Sequence, residues 1–328
     1  MRKKRGFTLT EILISILIIG IVMSAVMILF VSVFKSYEFH QDIMEAKQRG
    51  QIALAAIEPL VLNSGLGIPA VSKDFMEVFK DNNRIIPQSA TPTNNQNFSG
   101  PVQIATVSGG GVSEAVVTID SGNDLDTTDE KYTGDSLWIV YSVSSGYGIS
   151  KLNIVGEILS DVSLEMDPDA DFTPLKDNLD IYVNSNSSLK SWVAFPSSRF
   201  PFKVLDDSLT NSTTPLGLRT TKRQFLHRFD ELHYVRASKI KIDAGNNLSI
   251  YHLINPTPDS YQPVVEGIYG MRCVFDRDGD RILTVTVLAR ADTLRPELNI
   301  NSVDGWQGAI PDGKYRYAAV SKSWRIRN

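Results

Sequence analysis

From Ile12 to Phe34 the chain runs for 23 residues without a charged side chain. A helix of that length rises about 34 Å, at about 1.5 Å per residue, enough for the roughly 30 Å hydrocarbon core of a bilayer. Arg2, Lys3, Lys4 and Arg5 precede the run, and Lys35 follows it. This asymmetry predicts a cytoplasmic start and a carboxyl-terminal body on the far side of the membrane. A secretory signal peptide has a shorter apolar stretch, about 7 to 15 residues, that ends at a small-residue cleavage site. A plain signal anchor shares the hydropathy of this segment, so hydropathy alone leaves that alternative open.

Glu11 separates the readings. A carboxylate one turn inside an apolar stretch costs on the order of a few kcal/mol at mid-helix and less near an end. It can stay at headgroup level, or it can meet a positive charge inside an assembly. Cleavage between Gly6 and Phe7 would supply that charge, because Phe7 would then carry an α-ammonium group.

The segment Lys4-Arg5-Gly6-Phe7-Thr8-Leu9-Thr10-Glu11, followed by an apolar helix, resembles the class III leader of type IV pilins and pseudopilins. The resemblance implies that prepilin peptidase cuts after Gly6 and methylates Phe7. It also implies that Glu11 pairs with the terminal amine of a neighbouring subunit during assembly. Gly20 falls where major pilins keep a glycine that lets the helix loosen in the filament. Ile28 stands where major pilins usually have a helix-breaking proline, a departure that suits a minor pilin.

Beyond the membrane run, Phe39, Ile43, Ala46, Gly50, Ala53, Ile57 and Leu60 recur at spacings of three and four. That stripe predicts a continuing amphipathic helix docked on its own globular body. Glu38, Asp42, Glu45, Lys47 and Arg49 are expected on the opposite face. Pro59 should kink the last turns, and Gly65 should end them.

Residues 65 to 100 shift to Asn, Ser, Thr, Pro and Gly, which predicts a connecting region. Strand-like runs rich in Val, Ile, Tyr and Trp follow at Glu114 to Asp120, Asp135 to Val143, Asn178 to Asn184, Ser191 to Phe195 and Phe229 to Val235. Two hairpins are placed more closely. Lys239–Asp243 and Leu248–Leu253 flank Ala244-Gly-Asn-Asn247, and Ile268–Phe275 faces Arg281–Arg290 across Asp276-Arg-Asp-Gly-Asp280. The expected class is α+β and pilin-like: a long amino-terminal helix, transmembrane then amphipathic, packed on an antiparallel sheet domain with an extended β-rich carboxyl-terminal part. The expected divisions are 1–6 leader, 7–34 transmembrane half, 35–64 amphipathic half, 65–100 connection and 101–328 globular domain.

The carboxyl-terminal third adds to the resemblance. Glu231-Leu-His-Tyr-Val235, Leu248–Leu253, Val265-Glu-Gly-Ile-Tyr269, the turn Asp276–Asp280 and the closing Trp324-Arg-Ile-Arg-Asn328 resemble the PilW group of minor pilins, themselves similar to minor pseudopilin J of type II secretion. The resemblance implies a place at or near a filament tip, in a complex of minor subunits that primes assembly on the major pilin, with a tip adhesin as a further partner. It implies an inner-membrane precursor with a periplasmic body that later reaches the cell surface in the pilus. A type II secretion pseudopilin and a membrane-anchored periplasmic binding protein are the alternatives.

Enzyme signatures are not found in the sequence. His40, His227, His233 and His252 form no HExxH pattern and flank no cysteine pair, and there is no GxSxG elbow or GxxxxGK[ST] loop. His227 and His233 would share a face on a strand. Asp276, Asp278 and Asp280 are the candidates for calcium, with a second acidic cluster at Asp124, Asp126, Asp129 and Glu130. The glycine of the first loop sits fourth rather than sixth as in an EF-hand, and a solvated hairpin tip is the preferred reading. No cofactor is expected. Past Gly6 the chain holds 29 basic against 37 acidic residues, a net of −8, which argues against nucleic acid as a partner. Cys273 is the single cysteine and cannot form an intramolecular disulfide.

Overall fold

The computed structural model describes residues 8–69, 72–78, 100–108, 113–116, 131–152, 161–166, 192–204, 216–220, 222–227, 230–252, 262–276 and 281–327. The first helix, α1 (Leu9–Leu62), is 54 residues long, about 81 Å at 1.5 Å per residue. Ser15 and Ser24 donate their hydroxyls to the carbonyls of Glu11 and Gly20, at 2.7 and 2.8 Å, so both are satisfied within the helix. The helix carries through Pro59 and is capped at Asn63. Gly65, at φ +77°, turns the chain away, and a side chain there would collide with the Arg327 carbonyl. A short helix, α2 (Ser72–Val78), falls inside the segment expected to be only a connection.

Fourteen described strands follow: β1 (Val102–Ser108), β2 (Ser113–Val116), β3 (Lys131–Gly134), β4 (Ser136–Leu152), β5 (Asp161–Met166), β6 (Trp192–Ala194), β7 (Phe202–Val204), β8 (Leu216–Arg219), β9 (Glu231–Ile242), β10 (Asn247–His252), β11 (Gln262–Glu266), β12 (Ile268–Asp276), β13 (Ile282–Arg290) and β14 (Tyr317–Arg325). They pair antiparallel in two sheets. One runs β11-β10-β9-β6-β7-β8-β5-β4-β1-β2 and the other β14-β13-β12-β3.

Because β9 also pairs with β4, the strands β4-β5-β8-β7-β6-β9 form a closed ring within the larger sheet. Side chains such as Phe195, Phe202, Val204, Leu218 and Leu232 cluster as its core. β4 reaches the ring through a bulge between Ser144 and Tyr147, where Gly146 takes φ +77°. An extra residue pair bends one strand more sharply than a regular ladder allows. The predicted strand ending at Val143 therefore continues past two glycines to Leu152. The two runs expected around Phe229–Val235 and Lys239–Asp243 are one strand, β9.

Both expected hairpins are present as β9–β10 and β12–β13. At the first, the Asp243 carboxylate accepts from Gly245 N–H at 2.8 Å, Asn247 N–H at 3.0 Å and the Ser249 hydroxyl at 2.7 Å. Burial works to raise its pKa, and these hydrogen bonds outweigh burial and lower it. The second turn, 277–280, lies outside the described residues, as do the expected strand at Asn178 to Asn184 and residues 117–120.

The largest core joins α1 to both sheets, with Ala53, Ile57 and Val61 against Leu137, Val285 and Val287. Each fully buried aliphatic side chain contributes about 1.5–3 kcal/mol. The predicted stripe is buried at Ala46, Gly50, Ala53 and Ile57. A side chain at Gly50 would meet Val320 Cγ2 at 2.7 Å, so the absence of one lets β14 approach the helix. The expected opposite face needs correction: Asp42 is buried, Glu38, Glu45 and Arg49 are half-buried towards the body, and only Lys47 of the five is exposed. Asp42 lies one turn from Ala46, so it shares the docked stripe. The arginines that meet it, Arg295 and Arg316, come from a segment far away in sequence, 253 positions for the nearer, which helical spacing cannot reveal.

Candidate assembly helix and its seam

The apolar run makes α1 a helix long and apolar enough to cross a membrane, with a mean hydropathy of 3.0 in its most apolar window and none of that window buried. A span in lipid must satisfy its backbone internally, and a helix does so. Gly6 and Phe7 lie outside the described residues. Thr8, in extended conformation, precedes the helix, and Glu11 occupies its third position. The Glu11 carboxylate accepts from both Thr8 N–H and Thr8 Oγ1 at 2.9 Å. One half of a capping box is thus made within the chain, a role for Glu11 that the sequence reading did not include. Its signal was there: a threonine three residues before a glutamate at the start of an apolar run. Nothing lies within 4 Å of a side chain placed at Gly20.

Above the membrane run, the irregular segment 291–316 between β13 and β14 crosses the helix and brings three ion-pair groups to it. Arg295 donates to Glu38 at 2.9 Å and to Asp42 at 3.1 Å. Arg316 lies 3.6 Å from Asp42, with its guanidinium over the Phe39 ring. Arg49 donates to both carboxylate oxygens of Asp292 and to Glu45. Near the helix end, Glu58 accepts from Lys322 Nζ at 2.6 Å and Trp324 Nε1 at 3.2 Å. The Arg49 hydrogen bond holds Asp292 below the usual carboxylate range, and the Lys322 and Trp324 bonds do the same for Glu58. Four separate contacts thus register the helix on the body, where apolar packing alone would allow rotation.

The histidines do not assemble a site. His227 sits in an irregular stretch before β9, so it does not share a strand face with His233. His233 is buried with no hydrogen-bond partner for Nδ1 among the described residues, and burial lowers its pKa against the opposing pull of Glu231. His252 Nδ1 meets Ser238 Oγ at 2.8 Å and the Tyr141 hydroxyl at 3.3 Å, in a cluster across β4, β9 and β10. Ser238 is fully buried, which suits a structural hydrogen bond rather than attack on a substrate. Burial raises the Cys273 thiol, leaving it unreactive in the folded state. Among the described residues, no group of three or more His, Cys, Asp or Glu side chains comes together to hold a metal ion. Asp276 ends β12, whereas Asp278, Asp280 and the cluster from Asp124 to Glu130 lie outside the described residues.

The family model of the prokaryotic N-terminal methylation motif matches residues 1–27. No curated protein and no solved structure matches the chain. The motif indicates a type IV pilin- or pseudopilin-like protein, and the apolar half of α1 is consistent with membrane anchoring. Such a leader implies processing by a prepilin peptidase and partners that are themselves pilins.

Proposed function

We propose that this chain is a minor pilin of the PilW type, a structural subunit that helps prime a type IV pilus and sits at or near its tip. The observation that carries the reading is the division of α1. Its leader-bearing half is apolar and unburied over the whole spanning window, while its upper half is packed and ion-paired to a β-rich body. In this reading prepilin peptidase cuts between Gly6 and Phe7, Phe7 is N-methylated, and Glu11 pairs with the α-ammonium group of a neighbouring subunit. The precursor waits in the inner membrane with its body in the periplasm, then joins other minor pilins, the major pilin and a tip adhesin. The carboxyl-terminal strand pattern and the isoleucine at position 28 support a minor rather than a major subunit.

Mass spectrometry of the mature amino terminus tests the first step, and an intact Met1 would sink the reading. The capping contact makes the Glu11 test sharper. Glu11→Gln keeps an acceptor for Thr8 N–H but removes the charge, whereas Glu11→Ala removes both. Both variants should be cut and methylated, and both should be missing from sheared pili. Normal incorporation of Glu11→Gln would show that capping, not charge pairing, is what position 11 supplies.

A further inference from the structure

The sheet ends differ in how they are finished. The closed ring has no edge. Of the four described strands at sheet ends, β2 has four residues, and β3 has four and abuts β1, since a side chain at Gly134 would collide with Ala105. β11 contains Pro263 and a register break. β14 is nine residues long, contains no Pro or Gly, and pairs with β13 one to one throughout. Long, regular edges are what folded proteins ordinarily avoid.

The pairing parity of β14 follows from two flanking hydrogen bonds. Ile326 N–H donates to Arg281 O, and Ala291 N–H donates to Arg316 O, each at 2.9 Å. With the unbroken register, the even-numbered residues of β14 therefore bond to β13. Tyr317, Ala319, Ser321, Ser323 and Arg325 turn their N–H and C=O groups to the open side, where no backbone partner meets them among the described residues. Ser321, Lys322, Ser323 and Arg325 are exposed.

Charge narrows the occupant. Residues 314–328 hold five basic residues and no acidic one, although the chain past Gly6 is net acidic. Lys322 is held by Glu58 and Arg316 lies beside Asp42. Lys314, Arg325 and Arg327 have no carboxylate partner among the described residues. A basic edge repels a second copy of itself, so self-pairing is disfavoured while an acidic strand is attracted.

We propose that the open edge of β14 is a docking site for an acidic, extended segment of another polypeptide, which adds to the sheet as a strand. Main-chain hydrogen bonds from the odd-numbered residues supply the affinity, and Arg325 with its basic neighbours supplies the preference for acid. Ser321→Pro isolates the mechanism. It removes an N–H from the open side while sparing the ladder to β13, whereas Ser321→Ala keeps that N–H and loses only the hydroxyl contact with Thr286.

The test uses the full chain in detergent micelles and a fluorescein-labelled peptide, about ten residues long, that alternates Glu with Thr and Val, beside its Lys-for-Glu counterpart. Anisotropy should show saturable binding of the acidic peptide to the native chain and to Ser321→Ala, weakened about tenfold or more by Ser321→Pro and by Arg325→Glu. Amides of Ala319, Ser321 and Ser323 should gain exchange protection on binding. Absence of saturable binding, equal binding by Ser321→Pro in a variant whose Cys273 stays protected from alkylation, or equal affinity for the lysine peptide would overturn the proposal. Because no filament is needed, the outcome is independent of the fate of Gly6, Phe7 and Glu11.

Discussion

The two halves of α1 are one continuous helix placed in two solvents. Below Phe34 the only charge is Glu11, and every large apolar side chain is exposed by the isolated chain. Above it, Glu38, Asp42, Glu45, Arg49 and Glu58 turn towards the protein, while Met44, Ile52 and Leu62 face away. The apolar stripe is buried as in an ordinary docked helix, but charges that such a helix turns to solvent are here turned in beside it. Charges settle wherever partners are supplied, and here the partners are Arg295, Arg316, Asp292 and Lys322 from the body. The upper half is thus fixed by its own domain, and the lower half is left for a lipid or protein environment that the chain does not provide.

The largest effect expected from this difference is in the upper half. Ile57 is fully buried between the sheets, so Ile57→Ala should cost about 2–5 kcal/mol of body stability. The buried thiol of Cys273 gives the readout, since it is alkylated only when the body opens. Alkylation of the full chain in micelles during a denaturant series should move to clearly lower concentration. An unchanged midpoint would mean that the body does not depend on α1.

How much of this could be read from sequence follows the range of each interaction. The apolar run, the helix end near Gly65 and both hairpins rest on local spacing and turn chemistry, and these are where expectation and structure agree. β14 and β1 went unrecognised because Tyr317-Ala-Ala-Val-Ser-Lys-Ser-Trp324 and Val102-Gln-Ile-Ala-Thr-Val-Ser108 lack a clean alternation of large apolar and polar residues. Their pairing with β13 and with β4 makes them strands. The closed ring was equally hidden: β6 falls within the expected run Ser191 to Phe195, but β7 and β8, which join it to β5, have only three and four residues. At the candidate site, the leader and Glu11 were legible as a contiguous motif. The seam was not, because Asp42 and Arg295 are 253 positions apart.

Next in size is the seam itself. Asp42 is 3% exposed and faces two arginines. Asp42→Ala takes one of two acceptors from Arg295, which keeps Glu38, and removes the carboxylate beside Arg316, at a cost of about 1–3 kcal/mol, less than for a fully buried pair because both arginines are partly hydrated. The alkylation midpoint should fall between those of Ile57→Ala and the native chain. A shift as small as that of a surface substitution would mean that the Asp42 ion pairs do not hold the helix to the body.

Acid should act on the body and spare the lower helix, which holds no histidine between Leu9 and Phe34. Burial lowers the pKa of His233 and of His252. A folded value below the unfolded one, about 6.5, means that the unfolded chain takes up protons first. The stabilising contribution is complete above that value and is lost as pH falls through the lower folded value. The melting temperature of the body should therefore be lower at pH 5.0 than at pH 7.5, and His252→Gln should flatten part of the fall. Equal melting at both pH values would mean that neither imidazole is held neutral by its surroundings.

The smallest expected effect completes the contrast. Leu17 lies in the spanning half and is 60% exposed in the isolated chain. Leu17→Ala removes apolar surface that touches nothing in the body, so body stability in micelles should stay within about 0.5 kcal/mol of native. The same substitution in a membrane weakens whatever packs there. Incorporation into filaments should therefore fall while the Cys273 midpoint holds. If the midpoint moved by as much as in Asp42→Ala, the two halves would be energetically coupled, and the helix could not be treated as a docked segment joined to an independent anchor.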